Sequence, residues 1–179
     1  MTSLSIDIGN TRIKAGVFES NTLERVFNFE NMEGLMLFCE NLDTNTPIII
    51  SSVTNDDLSS FQKDFKNLVI LNSSTKLPVI NNYKTPETLG NDRLSAVVGA
   101  VSLFPGENNL VIDAGTCIKY DFINSQAEYG GGSISPGTEI RFKALNHFTG
   151  KLPLVEKSKS FDLIGDSTTN AILSGVMFG

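Results

Sequence analysis

The chain has 179 residues, of which 40% are hydrophobic and 19% charged, and it carries a net charge of −6. This length and apolar content suit one large or two small packed units and exclude wholesale disorder. The acidic balance, with no basic stripe, argues against nucleic-acid binding, and apolar runs of only a few residues are too short to span a bilayer.

The elements follow in chain order. Leu4-Ser5-Ile6-Asp7-Ile8 alternates apolar and polar residues and reads as a strand. Gly9-Asn10-Thr11 reads as a turn, and Ile13 to Phe18 as a second strand closing a hairpin. Leu35, Phe38, Cys39 and Leu42 fall at helical spacing between Asn31 and Leu42. Pro47 to Val53 reads as a buried strand, Asp56 to Lys66 as a short amphipathic helix, and Leu68 to Leu71 as a strand. Pro78, Asn81, Asn82 and Pro86 mark a loop; Asn91 to Leu103 then reads as a helix that Pro105-Gly106 ends. Leu110 to Ile112 opens another strand. Gly130-Gly131-Gly132 reads as a turn, and Pro136 suits the first position of a helix running to about Phe148. Asp166 or Ser167 can cap a last helix from near Thr168. Hairpins followed by alternating strands and helices imply a mixed α/β layer architecture. Asn108-Asn109 is the best candidate for a domain junction.

Met1 leads directly into the first strand, with no basic and apolar leader. Cys39 and Cys117 make no disulfide framework, which points to a reducing cytoplasm. The single histidine, His147, reads as a polar helix residue and leaves little for a Ser-His-Asp site or a His-rich metal site.

Leu4-Ser5-Ile6-Asp7-Ile8-Gly9 matches Leu110-Val111-Ile112-Asp113-Ala114-Gly115 in register at Leu, Ile, Asp and Gly. The match continues as Thr11, Ile13 and Lys14 answer Thr116, Ile118 and Lys119, if the second copy lacks one turn residue. Two strand–turn–strand copies suggest two similar subdomains facing each other across a cleft. Polyphosphates need close backbone N–H groups, and glycine removes the Cβ that would block approach. Asn10, Thr11 and Thr116 add side-chain donors, and Asp7 and Asp113 at strand ends can hold a hydrated Mg²⁺ or another cation. Phosphoryl transfer needs mainly this charge neutralisation and alignment. Neither a P-loop nor a Rossmann glycine fingerprint occurs.

Leu89-Gly90-Asn91-Asp92-Arg93-Leu94 begins the central helix. Asp92 in its first turn is favoured as a carboxylate and can accept a hydroxyl proton in a loose transition state. Arg93 can fork onto a substrate carboxylate or carbonyl. Taken alone, the segment reads rather as a helix cap beside a surface ion pair.

Together, these segments resemble the type III pantothenate kinase family. The resemblance is carried by Asp7 to Lys14, Tyr83 to Arg93, Asp113-Ala114-Gly115-Thr116, Gly131 to Gly137 and Thr168 to Gly175, in the family's order and over nearly the whole chain. It implies an α/β fold of two ribonuclease-H-like (actin-like ATPase) subdomains, here 1–108 and 109–179, with mixed sheets flanked by helices and ATP and substrate in the cleft. It implies ATP-dependent phosphorylation of pantothenate, the first step of coenzyme A synthesis, by a cytoplasmic homodimer. The cofactors implied are Mg²⁺ and a monovalent cation, K⁺ or NH₄⁺. By matching motif, Asp7, Ile8, Gly9, Asn10, Thr11, Arg12, Ile13, Lys14 and Thr116 would contact ATP, and Asp7 would help position Mg²⁺. Asp113 would bind the monovalent cation. Tyr83, Gly90, Asn91, Asp92 and Arg93 would hold pantothenate, with Asp92 as proton acceptor, and Thr168 would touch pantothenate bound mainly by the partner subunit. Two departures stand out: Cys117, read as a small core residue, and Lys119, expected to point away from the nucleotide, replace a small residue and a threonine. The resemblance also implies that relatives continue past Gly179 through the rest of the second subdomain. Alternatives are a related kinase acting on a sugar or acetate, and a non-catalytic nucleotide-binding regulator of the Bvg accessory factor kind.

Overall fold

The computed structural model of the chain describes residues 1–54 and 57–179. Its first sheet starts from the hairpin of β1 (Thr2–Ile8) and β2 (Ile13–Glu19), antiparallel with Ile8 opposite Ile13 and Ile6 opposite Ala15. The alternation sends Leu4, Ile6, Ile8, Ile13 and Ala15 to one buried face, where Leu35 and Cys39 of α1 (Met32–Cys39) and Phe61 of α2 (Ser59–Asp64) cover them. Each buried Leu, Ile or Phe side chain of this face contributes roughly 1.5–3 kcal/mol. The side chain of Asn31 caps α1 by accepting from the Gly34 N–H at 3.0 Å. A parallel neighbour needs a crossover, and α1 provides it, so β4 (Ile48–Ser52) pairs with β1 and β5 (Leu68–Ile70) with β4. The edge strand β3 (Thr22–Phe29) completes the order β3-β2-β1-β4-β5.

The second sheet repeats the start of the first: β7 (Asn109–Ala114), β8 (Cys117–Ile123) and β9 (Glu128–Pro136) form an antiparallel meander. The short β6 (Ile80–Asn81) adds to it in parallel beside β9, giving the order β6-β9-β8-β7. Between the sheets runs α3 (Asn91–Leu103), which contacts β4 of the first and β7 and β8 of the second. Its Leu94 and Val97 pack with Leu89, Ile123 and Tyr129. The helices α4 (Thr138–Phe148) and α5 (Thr168–Phe178) pair around Phe142, Ile172, Leu173 and Val176. Ser167 caps α5, its hydroxyl accepting from the Asn170 N–H. The chain is thus mixed α/β, with two mixed sheets flanked by helices. Among the described residues no helix is long and apolar enough to cross a membrane.

Several expectations are corrected. Gly130-Gly131-Gly132 is not a turn but lies inside β9, because a Cβ on Gly132 would sit 1.7 Å from the Tyr120 carbonyl oxygen. The glycines serve close strand approach. Pro136 closes β9 instead of opening the next helix, and Gly137 takes the N-cap of α4. The loop around Pro78 to Pro86 contains β6 and a 3₁₀ turn at Pro86–Thr88. The helix expected from Asp56 spans only Ser59–Asp64, and Asp56 itself lies outside the described residues. No sequence pattern marks β3, because its side chains are almost all exposed and show no clean alternation.

Candidate active site

The two Asp-x-Gly hairpins are built alike. In the first, Asp7 stands opposite Lys14 and the Gly9 N–H donates to the Arg12 carbonyl at 3.1 Å. In the second, Asp113 stands opposite Lys119 and the Gly115 N–H donates to the Cys117 carbonyl at 2.9 Å. The second turn is the shorter. Asn10, Thr11, Arg12, Lys14 and Thr116 are exposed around the turns, whereas Ile8 and Ile13 bury their side chains in the core and have only backbone to offer a ligand. The second turn is braced from behind: the Gly137 N–H donates to the Thr116 carbonyl at 3.0 Å, with no room for a Cβ.

Asp7, Ser51, Asp92, Ser95 and Asp113 line one cavity of about 470 Å³ between the sheets. Burial, and then the neighbouring Asp92 charge, push the Asp7 carboxyl above its ordinary value, only partly offset by Lys14 and Lys119. The Ser51 hydroxyl is near enough to ease that rise, yet it is buried and makes no hydrogen bond of acceptable geometry with any described atom. Asp92 sits on the first turn of α3, where its Oδ1 accepts from the Arg93 N–H at 2.8 Å. A Cβ on Gly90 would lie 2.5 Å from that oxygen, so the helix start is shaped around the carboxylate. Burial works to raise the Asp92 carboxyl, but the Lys119 hydrogen bond and the Arg93 amide outweigh it and hold it below the ordinary value.

Lys119 does not point away. Strand alternation puts it on the same face of β8 as Asp121, toward α3, and its Nζ lies 2.5 Å from Asp92 Oδ2 and 2.7 Å from Asp113 Oδ2. Burial alone would lower this amine; the hydrogen bonds to Asp113 and Asp92 raise it above the ordinary lysine value. Cys117 next to the turn is half-buried, while burial pushes the Cys39 thiol of the core up to about 11.

The acceptor side is organised by Arg93. Its guanidinium is buried and committed to Asp121, with Nη2 at 2.6 Å and Nε at 3.1 Å from both carboxylate oxygens. The Tyr129 hydroxyl donates to the same carboxylate at 2.6 Å. Arg93 also lies under the Tyr83 ring, 5.5 Å from its centre, and Tyr83 stacks on Tyr129. Arg93 therefore presents Tyr83 from below, and it is no surface ion pair. Asn91 ties α3 to the strand ends by donating from Nδ2 to the Leu71 carbonyl at 3.0 Å. Thr168 opens α5 and is exposed; neither it nor Tyr83, Gly90, Asn91, Arg93 or Thr116 lines the cavity between the sheets. Sequence reading missed Ser51, Asp121 and Tyr129. The period-two pairing of Lys119 with Asp121 was the signal that marks one polar face.

A hydrated Mg²⁺ is typically held by one or two carboxylates together with substrate phosphates. Asp7 and the orphaned Ser51 hydroxyl fit that donor set. Among the described residues no group of three or more His, Cys, Asp or Glu could hold a metal alone. A monovalent cation at Asp113 fits poorly, because the Lys119 ammonium is already paired with its Oδ2 and would repel a second cation there.

Residues 3–179 match the family described as type III pantothenate kinase. Curated relatives of that name include those of Cytophaga hutchinsonii (44% identical), Phocaeicola vulgatus (45%) and Christiangramia forsetii (46%); each alignment covers 99% of this chain and 75% of the relative. A solved structure from Campylobacter jejuni, assigned in its name to the Baf family of transcriptional activators, shares the fold with a TM-score of 0.60 at 24% identity, over 98% of this chain and 74% of that one. With family match and relatives both spanning it almost end to end, the chain belongs to the type III pantothenate kinase family.

Proposed function

We propose that this chain transfers the γ-phosphoryl group of ATP to the primary hydroxyl of pantothenate, giving 4′-phosphopantothenate for coenzyme A synthesis. The observation that carries this reading is the convergence of Asp7, Asp92 and Asp113, from two hairpin turns and one helix start, on a single cavity in a chain of this family. The cavity is read as the cleft between two ribonuclease-H-like halves, 1–108 and 109–179, bridged by α3. The first turn, Asp7 to Lys14, offers backbone N–H groups and the exposed Asn10, Thr11, Arg12 and Lys14 to the phosphates, and Thr116 meets them from the second turn. Mg²⁺ held near Asp7 and Ser51 would neutralise phosphate charge.

Asp92 orients the acceptor hydroxyl and takes its proton. The hydroxyl oxygen forms the new P–O bond as the bond between γ-phosphorus and the β–γ bridging oxygen breaks, and the leaving group departs as ADP. Because Asp92 is held below its ordinary value, it is ionised at neutral pH. Its basicity is low, which suits a loose transition state in which the proton moves late. Tyr83, backed by Arg93, Asp121 and Tyr129, would support the pantothenate chain beside the cavity, with Gly90 and Asn91 next to Asp92 at the start of α3. The proposed enzyme is a cytoplasmic homodimer in which Thr168, exposed and outside the lining of its own cavity, reaches pantothenate in the partner. A coupled assay with ATP and Mg²⁺ over a panel of acceptors tests it. Turnover with pantothenate and not with sugars or acetate is expected; transfer to another acceptor, or ATP binding without transfer, would overturn it.

A further inference from the structure

We propose that the Lys119 ammonium serves as a built-in monovalent cation, so that phosphoryl transfer by this chain needs no added K⁺ or NH₄⁺. The inference rests on the kinase reading above for its catalytic readout, and on geometry for the rest. Family resemblance assigns a monovalent cation to Asp113, yet the Asp113 carboxylate is paired at 2.7 Å with Lys119 Nζ. The same nitrogen reaches Asp92 at 2.5 Å, so one ammonium bridges the strand-end carboxylate of the second hairpin and the proton acceptor at the start of α3. An ammonium tethered to β8 has the charge and donor chemistry of free NH₄⁺, and charge-assisted hydrogen bonds of this kind are strong. The lysine side chain is 17% exposed, less than either carboxylate it bridges, so the cation is seated inside the site and not hung over it.

The arrangement has a sequence origin. Lys119 faces Asp113 across the second hairpin as Lys14 faces Asp7 across the first. The two lysines differ in what lies beyond them. Lys14 is exposed. Lys119 has the first turn of α3 packed over it, and Asp92 supplies the second carboxylate. Two carboxylates converging without a cation between them would repel; with Lys119 in place that role is filled by the chain. A free cation could take the place between the two carboxylates only by displacing the ammonium from both ion pairs.

The test compares the intact chain with Lys119→Thr in chloride salts of K⁺, NH₄⁺ and tetramethylammonium at constant ionic strength, reading both turnover of pantothenate and thermal unfolding of the free protein. The intact chain should turn over equally in all three salts and melt at the same temperature. Lys119→Thr should lose about 10²–10³-fold in rate in tetramethylammonium, the order expected on removing one electrostatic stabiliser. It should regain rate in NH₄⁺ or K⁺, and those ions should raise its melting temperature. An intact chain that requires K⁺, or that K⁺ specifically stabilises, overturns the proposal; so does a Lys119→Thr variant indifferent to the cation in melting. An intact chain inactive in every salt sinks the kinase reading instead, and the melting comparison still decides the cation question.

Discussion

Replacing Asp121 by Asn should unseat the structure beneath the acceptor wall. The Arg93 and Asp121 side chains are 6% and 3% exposed, so neither charge is relieved by solvent. The carboxylate receives Arg93 through Nε and Nη2 and the Tyr129 hydroxyl besides. Asp121→Asn keeps the shape but leaves the guanidinium buried against a neutral amide, and breaking a buried pair from one side costs about 3–5 kcal/mol. Against a total stability of roughly 5–15 kcal/mol this is a large fraction. At about 2–4 °C per kcal/mol for a chain of this size, the midpoint should drop by roughly 6–20 °C. Urea unfolding followed by far-ultraviolet circular dichroism measures the free energy directly. The triple variant Arg93→Met, Asp121→Leu, Tyr129→Phe should recover most of the loss, because no buried charge or hydroxyl is then left unpaired, while pantothenate KM rises as Tyr83 loses its support. A cost below about 1 kcal/mol for Asp121→Asn, the size of an exposed pair, would refute the burial of this network.

Two further substitutions probe the cleft. Asp7 is held above its ordinary value, so the native state favours its protonated form: the contribution is fully present below the unfolded-state value and is lost as pH rises through the raised folded-state value. Asp7→Asn should therefore melt higher than the intact chain at neutral pH, converge with it below about pH 4, and lose transfer activity; equal melting at neutral pH would contradict the strain placed on Asp7. Gly137→Ala would bring a Cβ to 2.3 Å from the Gly115 carbonyl oxygen and 2.5 Å from that of Thr116. It should weaken ATP binding, read by calorimetry, with pantothenate binding little changed, and unaltered ATP affinity would show that the second turn does not carry the nucleotide.

Much of the framework was legible because it rests on local patterns. The matched hairpins are visible as repeated Leu, Ile, Asp and Gly, and α3 as a helix from Asn91 to Leu103 that Pro105-Gly106 ends. The legible part ended where meaning depends on a neighbour remote in the chain. Gly132 punctuates like a turn residue, and only the approach of Tyr120 explains it as a strand residue. Arg93 beside Asp92 looked like a surface charge because its partner, Asp121, lies on another element and the pair closes only when α3 packs on β8. The strand position of Lys119 is legible locally, but which face it takes depends on the hairpin register. Ser51 carries no local signal at all; it matters because β4 lies parallel to β1 and sets it beside Asp7.

The most direct test is steady-state kinetics of Asp92→Asn beside calorimetric ATP binding. The substitution removes the proton acceptor and leaves both hairpin turns and the Lys119–Asp113 pair in place. Turnover of pantothenate should fall by about 10²–10⁴ with ATP affinity nearly unchanged, the loss typical of a general base. Turnover at the rate of the intact chain would contradict the placement of Asp92 at the reacting hydroxyl.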